Sequence, residues 1–282
     1  MMFLRAFRRM AVATTLMSLA SLAPLAQAAD GDLDGNRYLQ ERYYAADISA
    51  SRAFLEAIVK RGQWTDTKNR LTIVDVRDAT EYRHGHPEGS PHVPYPRVFQ
   101  ACQPNPANAS DPLTRTEDGG TCLYGAVPGS AVTSSDEQLF RTFEALFPDK
   151  NARLALLCRT GSRSARAANV LTRPEKYLGQ AYAGRGYKRA YNIWEGFVGQ
   201  PLAPIHVFTG RVMGPADDVA TVALDGGATA FGFKAYALDL NNDGVLNTKD
   251  SDGWRYHQGL PFDTRMQHRL VSPIAAPYYW RP

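Results

Sequence analysis

From about residue 48 to residue 200 the apolar positions alternate between two spacings. Phe54, Leu55, Ile58 and Val59 form a stripe with helical spacing, and the stretch from Ile48 to Lys60 is predicted as a helix, with Ser49 or Ser51 placed to cap it. Leu71 to Val76 is a short β-branched run, the pattern of a buried strand, and Ala79 to Arg83 predicts one helical turn. Pro87, Pro91, Pro94 and Pro96, with Gly89, predict loop or extended chain. Asp136 to Phe147 places Leu139, Phe140, Phe143, Leu146 and Phe147 on one side of a second helix. Leu154 to Leu157 predicts a second buried strand, Ser164 to Leu171 a helix with a small-residue face, and Ala190 to Ile193 a further short strand. Helices alternating with short apolar strands predict an α/β domain around a mostly parallel sheet.

The N-terminus follows a different pattern. Arg5, Arg8 and Arg9 precede an apolar run from Met10 to about Leu25, and Ala26-Gln27-Ala28 is a small-x-small site. That order is a secretory signal peptide cleaved after Ala28, which predicts export to the periplasm. The rival reading, a retained anchor, suffers from a short run that Pro24 interrupts. No later stretch is long and apolar enough to span a bilayer. The 282-residue chain carries a formal charge of +4; losing three arginines and no acid with the signal leaves +1. With no basic cluster interleaved with aromatics, nucleic acid is not an expected partner.

The chemistry centres on Leu154-Ala-Leu-Leu-Cys158-Arg159-Thr160-Gly161-Ser162-Arg163-Ser164. A buried strand ends at a cysteine, a short loop with a glycine follows, and a helix begins. Such a loop turns backbone N–H groups toward the sulfur, and the helix N-terminus favours negative charge there. Arg159 and Arg163 add positive charge, and all three effects favour thiolate over thiol. The same cradle suits an anionic substrate such as thiosulfate. The plain alternative is a core cysteine beside two surface arginines.

These residues resemble the active loop of the rhodanese family. Upstream, Ile73-Val-Asp75-Val-Arg77 and Glu81-Tyr-Arg-His-Gly85-His86-Pro-Glu-Gly89-Ser resemble the family's strand-turn signature, with Pro87-Glu88 in place of the usual Ile-Pro. Tyr191-Asn-Ile-Trp-Glu-Gly196-Phe resembles its late strand and glycine turn, and Gly253-Trp254 with Gly259-Leu260-Pro261 its closing motif. The resemblance implies a rhodanese-like three-layer α/β fold with a central, mostly parallel sheet. It implies a sulfurtransferase in which Cys158 takes sulfane sulfur from thiosulfate or another small donor. The persulfide passes to a thiol, cyanide or a protein acceptor, with no organic cofactor. Arg159, Thr160, Gly161, Ser162 and Arg163 then bind substrate, while Asp75, Arg77 and Glu81 read as mainly structural. Two rivals remain open: a non-enzymatic sulfur carrier or redox-partner module, and a phosphatase-like hydrolase. The second is disfavoured by the Cys158-x4-Arg163 spacing, one residue shorter than the related phosphatase loop.

On this reading residues 1–28 are the signal, 29–47 an N-terminal segment, 48–265 the domain and 266–282 a tail. Insertions interrupt the domain at about 98–135 and 200–252. The first holds Cys102 and Cys122, expected to pair in an oxidising compartment and leave Cys158 as the odd thiol; a sulfur relay through them is the alternative. The second ends in an EF-hand-like calcium loop of the dockerin-like variant. Asp239, Asn241, Asp243, Asn247 and Asp250 sit at positions 1, 3, 5, 9 and 12, and Val245 offers its carbonyl at position 7. A structural Ca2+ is expected there, against an Asx-rich turn needing no metal. A weaker match, Asp30, Asp32, Asp34, Gly35 and Glu41, reads as a solvated tail because Arg37 stands where an apolar residue belongs. His84, His86 and His92 cluster in sequence, a pattern that suggests a metal, but the resemblance implies that His86 belongs to a structural turn, which is the preferred reading; Tyr278-Tyr-Trp280 reads as packing or a partner site.

Overall fold

A computed structural model describes residues 41–63, 69–204, 206, 208–209, 213–223 and 236–279. The expected signal peptide, the acidic segment at residues 30–37 and Trp280 lie outside the described residues.

Four parallel strands form the central sheet: β1 (Ala46–Ile48), β2 (Leu71–Asp75), β5 (Arg153–Leu157) and β6 (Arg189–Ile193), in the order β1-β6-β5-β2. Side chains alternate across its two faces, as the strand period requires. Leu154, Leu156, Val74 and Val76 join one apolar cluster with α3 (Asp136–Leu146) and α4 (Ser162–Thr172). Leu71, Ile73, Ala155, Leu157 and Ile193 join another with α1 (Ala50–Ala57) and Trp254. Both faces are covered, which is why β2 and β5 read as apolar runs. The expected three-layer α/β fold with a central parallel sheet is the one observed.

The extended chain after β2 widens this sheet. Asp75 N donates to Pro91 O, and Val93 N and Tyr95 N donate to Asp75 O and Val76 O, at 2.9 Å each. The C-terminal segment adds a further edge, with His92 N donating to Leu270 O at 2.6 Å and Ser272 N to His92 O at 3.0 Å. Tyr278 stacks on Phe99 and Tyr279 packs on Tyr82 and His92, so these two tail tyrosines are packing residues.

Several expected boundaries shift. The predicted helix of residues 48–60 is shorter: Ile48 belongs to β1, Ser49 is the N-cap and accepts from Arg52 N, and a 3-10 turn, Val59–Gln63, replaces the last α-turn. The pairing of Ile48 with Ile193 overrides the helical stripe. α4 begins at Ser162, two residues before the predicted start, because the positive φ of Gly161 sets the entry. α2 (Ala79–Arg83) falls where predicted and is held by a capping box between Asp78 and Glu81. A short helix, α5 (Pro174–Leu178), had no sequence signal strong enough to be read.

Both insertions are closed at the neck. An antiparallel pair, β3 (Arg97–Phe99) and β4 (Val132–Thr133), closes the first. The second contains β7 (Thr221–Ala223) paired with β8 (Tyr236–Leu238), and its ends meet where Asp252 N donates to Gln200 O at 3.1 Å. Trp254 follows directly. It is fully buried, meets Phe54 edge-on at 5.9 Å, and its Nε1 donates to Pro261 O at 2.9 Å. Trp254→Ala is expected to lower unfolding free energy by about 3–5 kcal/mol in a denaturant titration, as emptied aromatic sites do; a loss under about 1 kcal/mol would remove it from the core.

Candidate active site

β5 runs straight into Cys158, whose side chain is fully buried. The chain then turns through Arg159, Thr160 and Gly161 and enters α4 at Ser162. Gly161 sits at φ +94°, a region that side-chain-bearing residues rarely adopt, and this turn points its N–H at Cys158 Sγ, 3.1 Å away. The sulfur therefore lies at the N-terminus of an 11-residue helix. Ser164 Oγ lies 3.3 Å from Sγ.

Ser164 is the near end of a buried polar chain. Its Oγ is 2.6 Å from Asn192 Oδ1 and 2.9 Å from Gly161 O. Asn192 Nδ2 donates to Asp47 Oδ1 at 2.8 Å, which leaves Asn192 Oδ1 facing Ser164. Tyr44 OH donates to Asp47 at 2.9 Å and Arg42 to its other oxygen at 3.3 Å. Because a hydroxyl has one proton, Ser164 donates to one of its three neighbours at a time.

The back of the loop is clamped by the glycine turn after β6. Phe197 N donates to Cys158 O at 2.8 Å, and Val198 N and Gly199 N donate to Arg159 O at 2.9 and 3.0 Å. Gly196, at φ +75°, lies so close that a Cβ there would sit 2.6 Å from the Arg159 carbonyl. This explains the glycine in the late-strand motif.

Both loop arginines are ion-paired. Arg163 Nη1 and Nη2 donate to the two oxygens of Glu81 at 2.8 and 2.7 Å. Glu81 is fully buried. Burial pushes its carboxyl up, but the charge and paired hydrogen bonds of Arg163, with Arg77 and Arg97 behind them, outweigh burial and hold it well below the usual carboxylate range. Arg159 Nε donates to Asp118 Oδ2 at 2.7 Å. Asp118 behaves likewise: burial raises it, and hydrogen bonds from Arg159 and Thr116 outweigh burial and lower it. Of the expected substrate-binding residues, Gly161 touches the sulfur, Thr160 and Ser162 are half-buried on the loop, and the arginines reach carboxylates from elsewhere.

Glu81 holds a loop arginine directly, and Asp75 and Arg77 form a fully buried pair at 2.6 Å. Asp118, Ser164 and Asn192 carried no assignment in the sequence reading. Asn192 lies inside the late-strand motif and Ser164 closes the cysteine motif, so both were within reach; Asp118 lies in an insertion with no motif at all.

Cys102 and Cys122 form the expected disulfide, with their Cα atoms 5.3 Å apart, and Cys158 is the free thiol. In the chain-entropy picture a closed loop of this size stabilises by about 3 kcal/mol. The histidines are bonded separately: His84 Nδ1 to Thr80 O, His86 Nδ1 to Tyr82 O, and His92 Nε2 to Arg77 O. Burial lowers His86 and pushes His92 down to about 4.

In the calcium-like loop, Asp239 accepts from Asp243 N and Gly244 N, and buried Asp250 accepts from Leu240 N and Asn247 N. Asn241 Oδ1 accepts from Asp243 N, Asp243 Oδ1 from Val245 N, and Val245 O from Asn247 Nδ2. A strand precedes the loop and a 3-10 turn, Thr248–Asp250, ends it, in place of the two helices of an EF-hand. Among the described residues no three His, Cys, Asp or Glu side chains converge as a metal-holding group. The all-oxygen donor set nevertheless has the chemistry a hard cation requires.

A family model described as a rhodanese-like domain matches residues 55–199, the span that contains the cysteine loop and its clamp. No curated protein matches the chain.

The Glu81–Arg163 pair yields a test. Since the folded-state pKa of Glu81 is depressed, its contribution is fully present above the unfolded value, near about 4.3, and is lost as pH falls toward the folded value. Glu81→Gln is expected to cost about 3 kcal/mol at neutral pH, the scale for breaking a buried pair. The gap from wild type should narrow below about pH 4.5. Denaturant titrations at pH 7 and pH 3 measure both; a constant gap would contradict the assignment.

Proposed function

The chain belongs to the rhodanese-like family, and from that premise we propose that it is a sulfurtransferase carrying sulfane sulfur as a persulfide on Cys158. One observation carries the reading: the buried Sγ sits at the N-terminus of α4 and receives the Gly161 N–H at 3.1 Å. That arrangement stabilises negative charge on sulfur before and after loading.

In the first half-reaction the Cys158 thiolate attacks the outer sulfur of thiosulfate or a similar donor. The Sγ–S bond forms, the donor S–S bond breaks, and sulfite leaves with the bonding pair. In the second, a thiol, cyanide or protein nucleophile attacks the terminal sulfur and returns the thiolate; with cyanide the product is thiocyanate. Gly161 N–H holds the charge, Ser164 contacts the sulfur and is itself held by Asn192, and residues 196–199 fix the loop. Both Nη atoms of Arg163 are already taken by Glu81, so we assign this arginine a positioning role in the loop.

We also propose that the protein works after export to the periplasm, which agrees with the Cys102–Cys122 disulfide. We further propose that the loop from Asp239 to Asp250 takes a structural Ca2+ through Asp239, Asn241, Asp243, Asn247, Asp250 and the Val245 carbonyl. A bound ion would tie the second insertion to the Trp254 segment and take no part in the chemistry.

Thiocyanate formation from thiosulfate and cyanide is expected, with parallel double-reciprocal lines and loss of activity in Cys158→Ser. Intersecting lines, or activity that survives the substitution, would overturn the covalent scheme. Phosphate-ester turnover lost with Cys158 would favour a hydrolase instead. For the metal, Ca2+ at about a hundredfold above Kd is expected to stabilise the protein by about 2.7 kcal/mol over the chelated form. Asp239→Ala should abolish that gain in a thermal melt, and no Ca2+-dependent change in Tm would remove the metal.

A further inference from the structure

A chain of buried polar side chains joins the sulfur to β1. Asp47 and Asn192 are register partners in the parallel pair of β1 and β6, so their side chains leave the sheet on the same face. Asn192, Ser164 and Cys158 are fully buried, and Asp47 is 7% exposed. Asp47 Oδ1 accepts from Asn192 Nδ2 at 2.8 Å, Asn192 Oδ1 lies 2.6 Å from Ser164 Oγ, and Ser164 Oγ lies 3.3 Å from Cys158 Sγ. Tyr44 OH and Arg42 Nη1 also donate to Asp47.

The proton of each link is fixed in turn. A carboxylate only accepts, so Asn192 must present its amide N–H to Asp47 and its carbonyl oxygen to Ser164. That oxygen also only accepts. Two oxygens 2.6 Å apart need a proton between them, and the Ser164 hydroxyl supplies it. The other acceptor near this hydroxyl, Gly161 O, is farther away at 2.9 Å. With its single proton turned to Asn192, Ser164 Oγ meets the sulfur with a lone pair and can accept from S–H. The sulfur thus has two neighbours of opposite preference: the Gly161 N–H suits thiolate, and the Ser164 lone pair suits thiol.

We propose that Asp47 is a positioning residue for the nucleophile: through Asn192 it keeps the Ser164 hydroxyl turned as an acceptor toward sulfur and so restrains ionisation of unloaded Cys158. Other charged groups lie on the elements around the sulfur. They are Arg159 and Arg163 on its own loop, their partners Asp118 and Glu81, and the Asp75–Arg77 pair beside β5. The hydrogen-bond chain that starts at Sγ and passes through Ser164 ends on Asp47 with its donors Tyr44 and Arg42. Loading removes the restraint, because in a persulfide Sγ carries no proton and the charge lies on the outer sulfur. Since cysteine oxidation follows thiolate character, the restraint spares the resting thiol. The inference goes beyond the sulfurtransferase reading and concerns the unloaded protein.

The test follows thiolate formation by ultraviolet absorbance in a pH titration of the full chain, with Cys158→Ser as the blank, since Cys158 is the free thiol. Asp47→Asn supplies an amide donor, so Asn192 can turn over, donate to Ser164 and free the hydroxyl proton for sulfur. The ionisation midpoint is expected to fall by about one pH unit, which is about tenfold more thiolate at a given lower pH and the scale of one hydrogen bond. Ser164→Ala should not raise the midpoint, because no donor to the thiolate is lost. On that background Asp47→Asn should move it by less than about 0.3 pH unit, whereas a plain field effect of the lost charge would persist. An unchanged or raised midpoint in Asp47→Asn would overturn the proposal, as would the same shift with and without Ser164, or a midpoint raised by Ser164→Ala. If Asp47→Asn does not fold, the infrared S–H stretch of Cys158 decides: it should lie at lower frequency in wild type than in Ser164→Ala, and equal frequencies would refute Ser164 as the acceptor. These measurements need no sulfur donor, so failure to load sulfur sinks the sulfurtransferase reading alone, and a contrary titration sinks this inference alone.

Discussion

The turn from β5 into α4 is the constraint on which the rest of the site depends. β5 is held on both sides by parallel neighbours, so Cys158 emerges at a fixed point at the strand end. Gly161 must then adopt a positive φ for the chain to enter the helix with its N–H aimed at sulfur. Everything around the loop preserves that geometry. The 196–199 turn hydrogen-bonds its back, Ser164 and Asn192 line the buried side, and Glu81 holds Arg163 in place. The Trp254 segment in turn supports the 196–199 turn, with Trp254 N donating to Gly196 O at 3.0 Å and Arg255 N to Phe197 O at 2.9 Å.

Around this cradle four buried carboxylates each hold an arginine, of which Arg77 is fully buried and the other three partly exposed. Asp75 takes Arg77, Glu81 takes Arg163, Asp118 takes Arg159, and Asp78 takes Arg97 at 2.6 Å. Such pairs add little net stability but are costly to break from one side, so they specify geometry more than they strengthen the fold. At the sulfur itself, the groups within hydrogen-bond reach are the Gly161 N–H and the Ser164 hydroxyl, at the N-terminus of α4.

The main architecture was legible because it is written in local periodicity. The β-branched run at Leu71 to Val76, the apolar run ending at Cys158 and the stripe of Leu139, Phe140 and Phe143 each correspond to an observed element. β1 was not legible: it has three residues, and Ile48 also fits the stripe of the helix that follows. Only pairing with β6 decides its state. Residues 91–95 read as proline-rich loop or extended chain, yet their backbone pairs with Asp75 and Val76, a long-range choice that composition does not encode. The same division holds in the site. Cys158, Gly161 and Ser164 are neighbours in sequence, whereas Glu81 lies 82 residues from its partner Arg163 and Asp118 lies 41 from Arg159. Glu81 at least belongs to a motif. Asp118 sits in a polar insertion where no periodicity or spacing marks it.

The central claim is that sulfur is carried covalently on Cys158, and intact mass after exposure to saturating sulfane-sulfur donor, without acceptor, tests it most directly. The account predicts a gain of about 32 Da, one sulfur atom, in the wild type and none in Cys158→Ser. A wild-type protein with reduced Cys158 and no mass gain, or a gain that persists in Cys158→Ser, would contradict it.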